Sequence, residues 1–144
     1  MIYNLTQLSN SIRNIYSINL CKYYVSRYIG NDWKSFLNSK DIIYYKKMRY
    51  SKIKLPMKMP NKQLYLLEWD NNSRTNKHKH FDKGCLFKIL DGSLKEQIYN
   101  NDKEIINTLY HSTNDISYIN NKEIYHSIEN NSNNKAYSLH IYSQ

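Results

Sequence analysis

The sequence predicts one all-β domain with a short helical segment in front of it. From Lys62 onward, apolar residues alternate with polar ones or form short runs. These runs recur at roughly eight-to-twelve-residue spacing, with Asn, Asp and Gly between them, as is typical of a small barrel or jelly roll. At 144 residues the chain is long enough for one core and too short for two.

The helical segment is predicted over residues 1–45. Apolar residues at near-helical spacing predict an amphipathic helix from Asn4 to Leu20 that packs on the barrel: Leu5, Leu8, Ile12 and Ile15. A second, shorter helix is predicted from another apolar stripe, which follows a turn and N-cap at Gly30-Asn31-Asp32: Trp33, Phe36 and Leu37.

The barrel is predicted over residues 62–143. Its predicted strands are Leu64–Trp69, Lys77–Phe81, Cys85–Leu90, Leu94–Tyr99, Ile105–Tyr110, Ile116–Ile119, Tyr125–Ile128 and Ala136–Tyr142. We expect Asp91-Gly92 to be a hairpin turn, the Ile105 and Ile116 strands to pair with each other, and residues 120–122 to form a turn. The polar stretch from Asn130 to Asn134 is expected to join the last two strands.

Composition excludes several classes of protein. No apolar run approaches the roughly 20 residues of a membrane helix. The first residues have no secretory signal pattern, so we expect a cytoplasmic protein. The cysteines, Cys21 and Cys85, do not form a disulfide framework, and Cys21 reads as a small apolar residue on a helix. We expect a monomer.

The chain is basic, with a formal charge of +9 from 21 basic and 12 acidic residues. Such a charge often indicates a nucleic-acid or anionic-surface partner. Here the lysines are scattered rather than clustered on one element. The chain is also rich in Asn, Ile, Lys and Tyr, which share A- and T-rich codons. Base composition alone can therefore produce this surface, and we do not expect a nucleic-acid partner.

Three histidines form a candidate metal site. His78 and His80 are two residues apart, so on a strand they point to the same face. His126, on a distant strand, can complete a facial set of three neutral nitrogens with open positions for substrate. Compared with two histidines and a carboxylate, this set leaves more positive charge on the metal and favours an anionic ligand. It also suits zinc.

Several motifs around these histidines resemble the cysteine dioxygenase family. Roughly from Lys62 to Ser143 the chain carries, in order, His78-Lys79-His80 with Cys85 after four residues, Leu90-Asp91-Gly92-Ser93-Leu94-Lys95-Glu96, His126-Ser127-Ile128-Glu129-Asn130, and Ser138-Leu139-His140-Ile141-Tyr142. The resemblance implies a cupin barrel with Fe²⁺ at the histidines. It implies an enzyme that oxidises the small-molecule thiol L-cysteine with O2 to cysteine sulfinate.

The resemblance also assigns roles around the metal. Cys85 and Tyr142 match the family's pair that becomes joined by a thioether bond. Ser138, His140 and Tyr142 match its hydrogen-bonded relay, in which His140 orients the Tyr142 hydroxyl without binding the metal. The three alternate along one strand, so they face the same side.

The substrate carboxylate needs a cationic side chain. The family has an Arg in a Tyr-x-Arg context, whereas this chain has Tyr50-Ser51-Lys52. The candidates are therefore Lys52 by register and Arg49 by residue type, beside Tyr50. Lys carries a point charge and cannot bind a carboxylate through two parallel hydrogen bonds as Arg does. A dioxygenase for another small thiol, such as a mercapto-carboxylate, is therefore an alternative function. A metal-binding cupin without catalysis stays open as well.

Two further departures from the family's pattern concern loops and ends. Asp70-Asn71-Asn72-Ser73 stands where the family has a Gly-rich loop. The sequence ends soon after Tyr142, where the family usually continues with a tail over the barrel, so the expectation is a more exposed site in a truncated relative.

Overall fold

Nine strands form two antiparallel sheets in the part of the chain that the structure, a computed structural model, describes: residues 1–80, 84–119 and 124–143. The strands are β1 (Ile42–Tyr45), β2 (Tyr50–Lys54), β3 (Lys62–Trp69), β4 (Cys85–Asp91), β5 (Ser93–Tyr99), β6 (Ile105–Ser112), β7 (Ile116–Ile119), β8 (Tyr125–Glu129) and β9 (Ala136–Ser143). The large sheet has the order β1-β2-β3-β9-β4-β7, and the small sheet has the order β6-β5-β8.

Alternation of side chains places the large sheet between two apolar layers. In β3, Leu67 and Trp69 point inward and pack in one cluster with Leu94 and Ile128 of the small sheet. Leu66 points to the opposite face and packs with the helices. A strand buried on both faces reads as a nearly continuous apolar run, which explains the composition of this segment.

The helical segment covers the outer face of the large sheet. It contains α1 (Leu5–Ile12), α2 (Ile18–Val25) and a 3₁₀ helix (Asp32–Asn38). Its buried side chains share an apolar cluster with residues of the large sheet: Leu5, Leu8, Ile12, Ile18, Cys21, Val25, Leu86, Leu139 and Ile141. Among the described residues, the helices are too short or too polar to pass through a lipid bilayer.

The prediction of one helix from Asn4 to Leu20 is wrong, because the chain breaks after Ile12 and starts a new helix at Ile18. The Ser17 hydroxyl accepts a hydrogen bond from the Leu20 N–H at 3.4 Å and caps this second helix. A polar capping residue thus overrides the apolar period.

The second predicted helix is present, but its predicted cap is not. Asn31 makes no side-chain capping bond. Asp32 instead accepts hydrogen bonds from the Tyr28 hydroxyl at 2.7 Å and from the Leu5 N–H at 2.8 Å. Its carboxylate therefore caps α1 and holds the helices together.

The predicted hairpin at Asp91-Gly92 is wrong. β4 pairs with β7 and β9, whereas β5 pairs with β6 and β8, so this turn carries the chain from one sheet to the other. Gly92 has a φ of +94°, and a Cβ there would lie 2.9 Å from the Cβ of Ala136. The predicted pairing of the Ile105 and Ile116 strands is wrong for the same reason, since they belong to different sheets.

Two other boundaries differ from the predictions. The large sheet begins at Ile42, so β1 and β2 extend the barrel ahead of Lys62. The predicted strand Lys77–Phe81 is not a regular strand in its described part, where His78 forms an isolated bridge with His126. Phe81 and the predicted turn at residues 120–122 lie outside the described residues. The loop from Asn130 to Asn134 joins β8 and β9 as expected.

Two buried lysines tie the helical segment to the large sheet. Lys88 Nζ donates hydrogen bonds to the backbone oxygens of Val25 at 3.2 Å and Tyr28 at 2.7 Å, at the end of α2. Lys62 Nζ donates to the backbone oxygen of Ile15, between the helices. Carbonyls at a helix end lack partners within the helix, so an ammonium group stabilises them.

We expect Lys88→Met to lower the free energy of unfolding by about 1–3 kcal/mol, because it removes the buried donor to the backbone oxygens of Val25 and Tyr28. Urea denaturation measures this change. Lys54→Met is the matched control, since Lys54 is an exposed lysine on β2, and it should change stability by less than about 0.5 kcal/mol. Equal effects of the two substitutions would contradict the anchoring role of Lys88.

Candidate metal centre

A cavity of about 380 Å³ opens among the inward-facing side chains of both sheets. Its lining combines four histidines, one lysine and several aromatic residues: Met48, Tyr50, Lys52, Leu67, Trp69, Thr75, Asn76, His78, His80, His126, Ile128, His140 and Tyr142. No carboxylate side chain is among these described lining residues. The cavity is therefore suited to an anionic ligand.

Backbone pairing brings the histidines together. The His78 N–H donates to the His126 carbonyl at 3.0 Å, and the His126 N–H donates to the His78 carbonyl at 2.8 Å. His80 follows two residues later, and its ring lies 5.1 Å from that of His126, centroid to centroid. The ligand atoms of the three histidines all lie within 4.8 Å of one another.

The partners of two histidines determine which ring nitrogen faces the centre. His126 Nδ1 lies 2.8 Å from Glu96 Oε2, and an ionised carboxylate can only accept. His78 Nδ1 lies 2.9 Å from the backbone oxygen of Asn76, which also can only accept. In both neutral imidazoles Nδ1 therefore carries the hydrogen, and Nε2 presents a lone pair to the centre.

The Nε2 lone pairs of His78 and His126 face each other. His126 Nε2 lies 2.9 Å from His78 Nε2 and 3.0 Å from His80 Nε2. Burial, and then the nearby His126, lower the pKa of His78 to about 4 and that of His80 to about 3. His78 and His80 are therefore uncharged at neutral pH. A metal ion bound to all three nitrogens removes the repulsion.

The spacing fits ligands at right angles. With metal–nitrogen bonds of about 2.1 Å, two ligands at right angles lie about 3 Å apart, and two at a tetrahedral angle lie about 3.4 Å apart. The distances from His126 Nε2 to the other two Nε2 atoms agree with the first value. Three imidazole nitrogens would leave further positions on a bound metal open for other ligands.

Glu96 stands directly behind His126 and is fully buried. Besides His126, it contacts His111 Nε2 at 3.0 Å and accepts from the Ser117 hydroxyl at 2.6 Å. Burial alone would raise the pKa of Glu96, but the hydrogen bonds from His111, His126 and Ser117 outweigh burial and lower it to about 2. A carboxylate charge is therefore held behind one of the three imidazoles.

A chain of hydrogen bonds runs along β3 and β9 and joins Trp69, Ser138, His140 and Tyr142. Trp69 Nε1 donates to Ser138 Oγ at 2.8 Å, and Ser138 Oγ lies 2.8 Å from His140 Nε2. His140 Nδ1 lies 3.2 Å from the Tyr142 hydroxyl oxygen. Because indole can only donate, Ser138 has its own hydrogen available for His140, and His140 Nδ1–H then donates to Tyr142. The Tyr142 hydroxyl hydrogen is left to point elsewhere.

Cys85 is the partner of that hydroxyl. Cys85 and Tyr142 lie opposite each other in the β4–β9 register, and their side chains are hydrogen-bonded. Burial raises the pKa of the Cys85 thiol and raises that of Tyr142 well above its usual value. Both groups are therefore neutral and in contact at the edge of the metal centre, where the Tyr142 ring stacks on His80 at 5.2 Å.

The structure separates the two candidate cations for a substrate carboxylate. Lys52 lies in the cavity, with its Nζ 4.2 Å from the centre of the Tyr65 ring and 4.8 Å from that of Tyr142. Arg49 is exposed in the turn before β2, and its guanidinium donates to Asn71. Tyr50 lines the cavity beside Lys52. Burial lowers the pKa of Lys52, because removal from water destabilises its ammonium form. An anionic ligand beside Lys52 would stabilise that charged form.

Comparison with known families decides the relationship of this chain. A sequence model described as cysteine dioxygenase type I matches residues 6–144. The chain belongs to this family. The predicted family is thus confirmed, and the match also covers residues 6–61, ahead of the region that carries the recognised motifs. No curated protein matches the sequence of this cysteine dioxygenase family member.

Solved structures establish the fold. The Cnp3 cupin domain of Schizosaccharomyces pombe is 14% identical, with a TM-score of 0.56 over 75% of this chain and 72% of that one. A cupin superfamily protein from Desulfitobacterium hafniense is 14% identical, with a TM-score of 0.54 over 70% and 83%. The polyketide cyclase RemF from Streptomyces resistomycificus is 18% identical, with a TM-score of 0.54 over 66% and 65%. The predicted all-β cupin barrel is confirmed.

Sequence reasoning assigned no role to three residues that the structure places at the site of this family member. Glu96 belongs to a recognised motif. It alternates with Leu94 and Ile98 along a half-buried strand, so its charged side chain shares the inward-facing side with apolar residues. That alternation was the available signal. Trp69 and Tyr65 reached the site only through the β3–β9 and β2–β3 pairings, which no local pattern contains.

Proposed function

We propose that this protein is an iron-dependent thiol dioxygenase that oxidises L-cysteine with O2 to cysteine sulfinate. The observation that carries the proposal is the convergence of three imidazole nitrogens in a cavity that is also lined by the cation of Lys52 and by Tyr142, the partner of Cys85. Membership of the cysteine dioxygenase family supports both the reaction and iron as the metal.

His78, His80 and His126 would hold the iron. When bound, iron supplies the attachment of the thiolate and the activation of dioxygen. Both oxygen atoms go to sulfur, and O2 accepts all the electrons that sulfur loses, so the overall reaction needs no other reductant. The neutral ligand set keeps positive charge at the metal and favours an anionic thiolate.

The remaining side chains position the substrate. Lys52 would pair with the substrate carboxylate, and Tyr50 would close the same side of the cavity. Tyr142 would hold its hydroxyl group beside the substrate, since His140 and Cys85 fix its position. A buried carboxylate without a cation is costly, so Lys52 is expected to contribute strongly to affinity.

A mercapto-carboxylate is the second candidate substrate, favoured by two features of the cavity. Lys52 offers one point charge rather than the fork of an arginine. The described lining contains no carboxylate that could pair with a substrate ammonium group. Such a thiol would use the same metal centre and the same cation.

The test is purification under reducing, anaerobic conditions, followed by metal analysis and by oxygen-consumption assays with a panel of thiols. We expect about one iron per chain and cysteine sulfinate that carries both atoms of isotopically labelled dioxygen. Faster turnover of a mercapto-carboxylate would select the second substrate. Bound iron with no thiol oxidation would indicate a metal-binding cupin without catalysis.

We expect a thioether bond to form between Cys85 and Tyr142 during turnover, because their side chains are already in contact in register. Joining sulfur to the tyrosine ring removes two hydrogens, with O2 as the oxidant. Intact-mass spectrometry should detect this loss, and a tryptic digest should join the two peptides.

Cys85→Ser is the control for the thioether. It should abolish the joined peptide. Iron binding should stay intact, since the proposed ligands are three histidines and Cys85 is not one of the ligands. Cys21→Ser, which changes the other buried cysteine, should leave the join unchanged. Separate peptides after many turnovers would remove the covalent bond from the proposal, though not the dioxygenase activity.

A further inference from the structure

Beyond the three histidines, one buried carboxylate contacts the candidate metal centre. Glu96 Oε2 lies 2.8 Å from His126 Nδ1, and both side chains are almost completely buried. The other carboxylate oxygen is occupied by His111 at 3.0 Å and Ser117 at 2.6 Å. Both oxygens thus have partners, and Glu96 has no free atom to offer a metal or a substrate.

The network fixes Glu96 from three strands. His111 lies on β6, Ser117 on β7 and His126 on β8, whereas Glu96 lies on β5. A carboxylate held at both oxygens cannot rotate away from His126. The His126 ring is therefore held in one orientation, with Nδ1 as the donor and Nε2 toward the centre.

The other imidazole with a described partner is supported differently. His78 Nδ1 faces the neutral backbone oxygen of Asn76 at 2.9 Å. A hydrogen bond to a charged acceptor is stronger than one to a neutral acceptor, and it makes the imidazole a better donor to a metal. The three ligands are thus unequal, although they are the same residue type.

We propose that Glu96 is a positioning residue that makes His126 the strongest of the three metal ligands. Its carboxylate also places a negative charge next to His126, and this charge partly replaces the one that a three-histidine set lacks. Metal sites of the two-histidine, one-carboxylate type carry that charge on a ligand. In this chain it sits one hydrogen bond further out. The inference rests on the metal centre of the proposed function.

Glu96→Gln is the decisive substitution, because it keeps the shape of the side chain and removes its charge. We expect Fe²⁺ and Co²⁺ affinity to fall about 10- to 100-fold. We also expect the Fe³⁺/Fe²⁺ midpoint potential to rise, since a nearby negative charge stabilises Fe³⁺ more than Fe²⁺. The ligand-field bands of the Co²⁺ protein should shift as the His126 donor weakens.

Glu129→Gln is the matched control. Glu129 lies on β8 and forms an ion pair with Lys95 at 3.1 Å, away from the cavity. The same chemical change there should leave metal affinity, potential and Co²⁺ spectrum as in the wild type.

Ser117→Ala separates positioning from a purely structural role. It removes one contact that joins Glu96 to β7 but leaves the Glu96–His126 bond. If Glu96 has only a structural role, Ser117→Ala and Glu96→Gln should each lower metal affinity in proportion to the unfolding free energy that the variant loses. That free energy is measured with a chelator present, so that bound metal does not contribute to it. The proposal predicts a spectral shift and a large loss of affinity for Glu96→Gln alone.

The two proposals fail in distinguishable ways. Wild-type protein that binds neither Fe²⁺ nor Co²⁺ would overturn the metal centre itself. Wild-type protein that binds metal, with a Glu96→Gln variant of equal affinity, potential and Co²⁺ spectrum, would overturn only the role of Glu96.

Discussion

Replacing His126 by alanine is expected to abolish stoichiometric iron binding and, with it, thiol oxidation. His126 Nε2 is the nitrogen that lies about 3 Å from both other ligands, so its loss leaves only His78 and His80 to hold the ion. Metal analysis of anaerobically purified protein measures the result. His78→Ala should lose iron as well.

Stability distinguishes these two substitutions. Without His126, the buried Glu96 carboxylate loses a donor, which should cost about 1–3 kcal/mol of unfolding free energy with a chelator present. His78→Ala leaves the hydrogen bonds of Glu96 intact and should cost less, because His78 contacts only a backbone oxygen through Nδ1. Urea denaturation compares the two proteins.

His140→Asn is the control for metal loss. His140 is buried between Ser138 and Tyr142 and is not part of the three-histidine group. The variant should keep its iron while its relay is broken. A His126→Ala protein with full iron, or wild-type protein with stoichiometric zinc and no iron, would disprove the assignment.

Removing the cation of the cavity should have the second largest effect. We expect Lys52→Ala to raise the KM for cysteine about thirty-fold or more, because a desolvated charge pair contributes about 2–5 kcal/mol. Cysteamine, which has no carboxylate, should be unaffected as a substrate or as a competitive inhibitor. Steady-state oxygen consumption measures both thiols.

Two controls test the charge at residue 52. Arg49→Ala should leave cysteine kinetics unchanged, because Arg49 is exposed and bonded to Asn71. The lowered pKa of Lys52 means that its ammonium loses its proton at a lower pH than an ordinary lysine. The ratio of kcat/KM for cysteine to that for cysteamine should therefore fall as pH rises, and Lys52→Arg should move this fall to higher pH. Unchanged kinetics in both alanine variants would require another anchor for the carboxylate.

The limits of sequence-based prediction are clearest at the turns. Ser17 caps the start of α2, and Asp32 caps the start of α1. The apolar period of the segment predicts one continuous helix and contains no sign of these capping contacts. Asp91-Gly92 has the composition of a hairpin turn, yet it joins two sheets. Turn residues specify a local backbone conformation, whereas the choice of partner strand depends on distant chain.

The sequence by itself determined the family, the barrel class and the metal-site candidates, because these depend on residue type at fixed spacing. His78 with His80, and Ser138 with His140 and Tyr142, share a face through the two-residue period of an extended chain, and no tertiary information is needed to see it.

Only the tertiary structure decided which residues surround those candidates. It placed Lys52 rather than Arg49 in the cavity, set Trp69 at the start of the relay, and put Glu96 behind His126. Each of these contacts crosses between strands that are far apart in sequence. Such neighbours are fixed by strand pairing and by the packing of two sheets on one core, and the spacing of residues along a single strand carries no information about them.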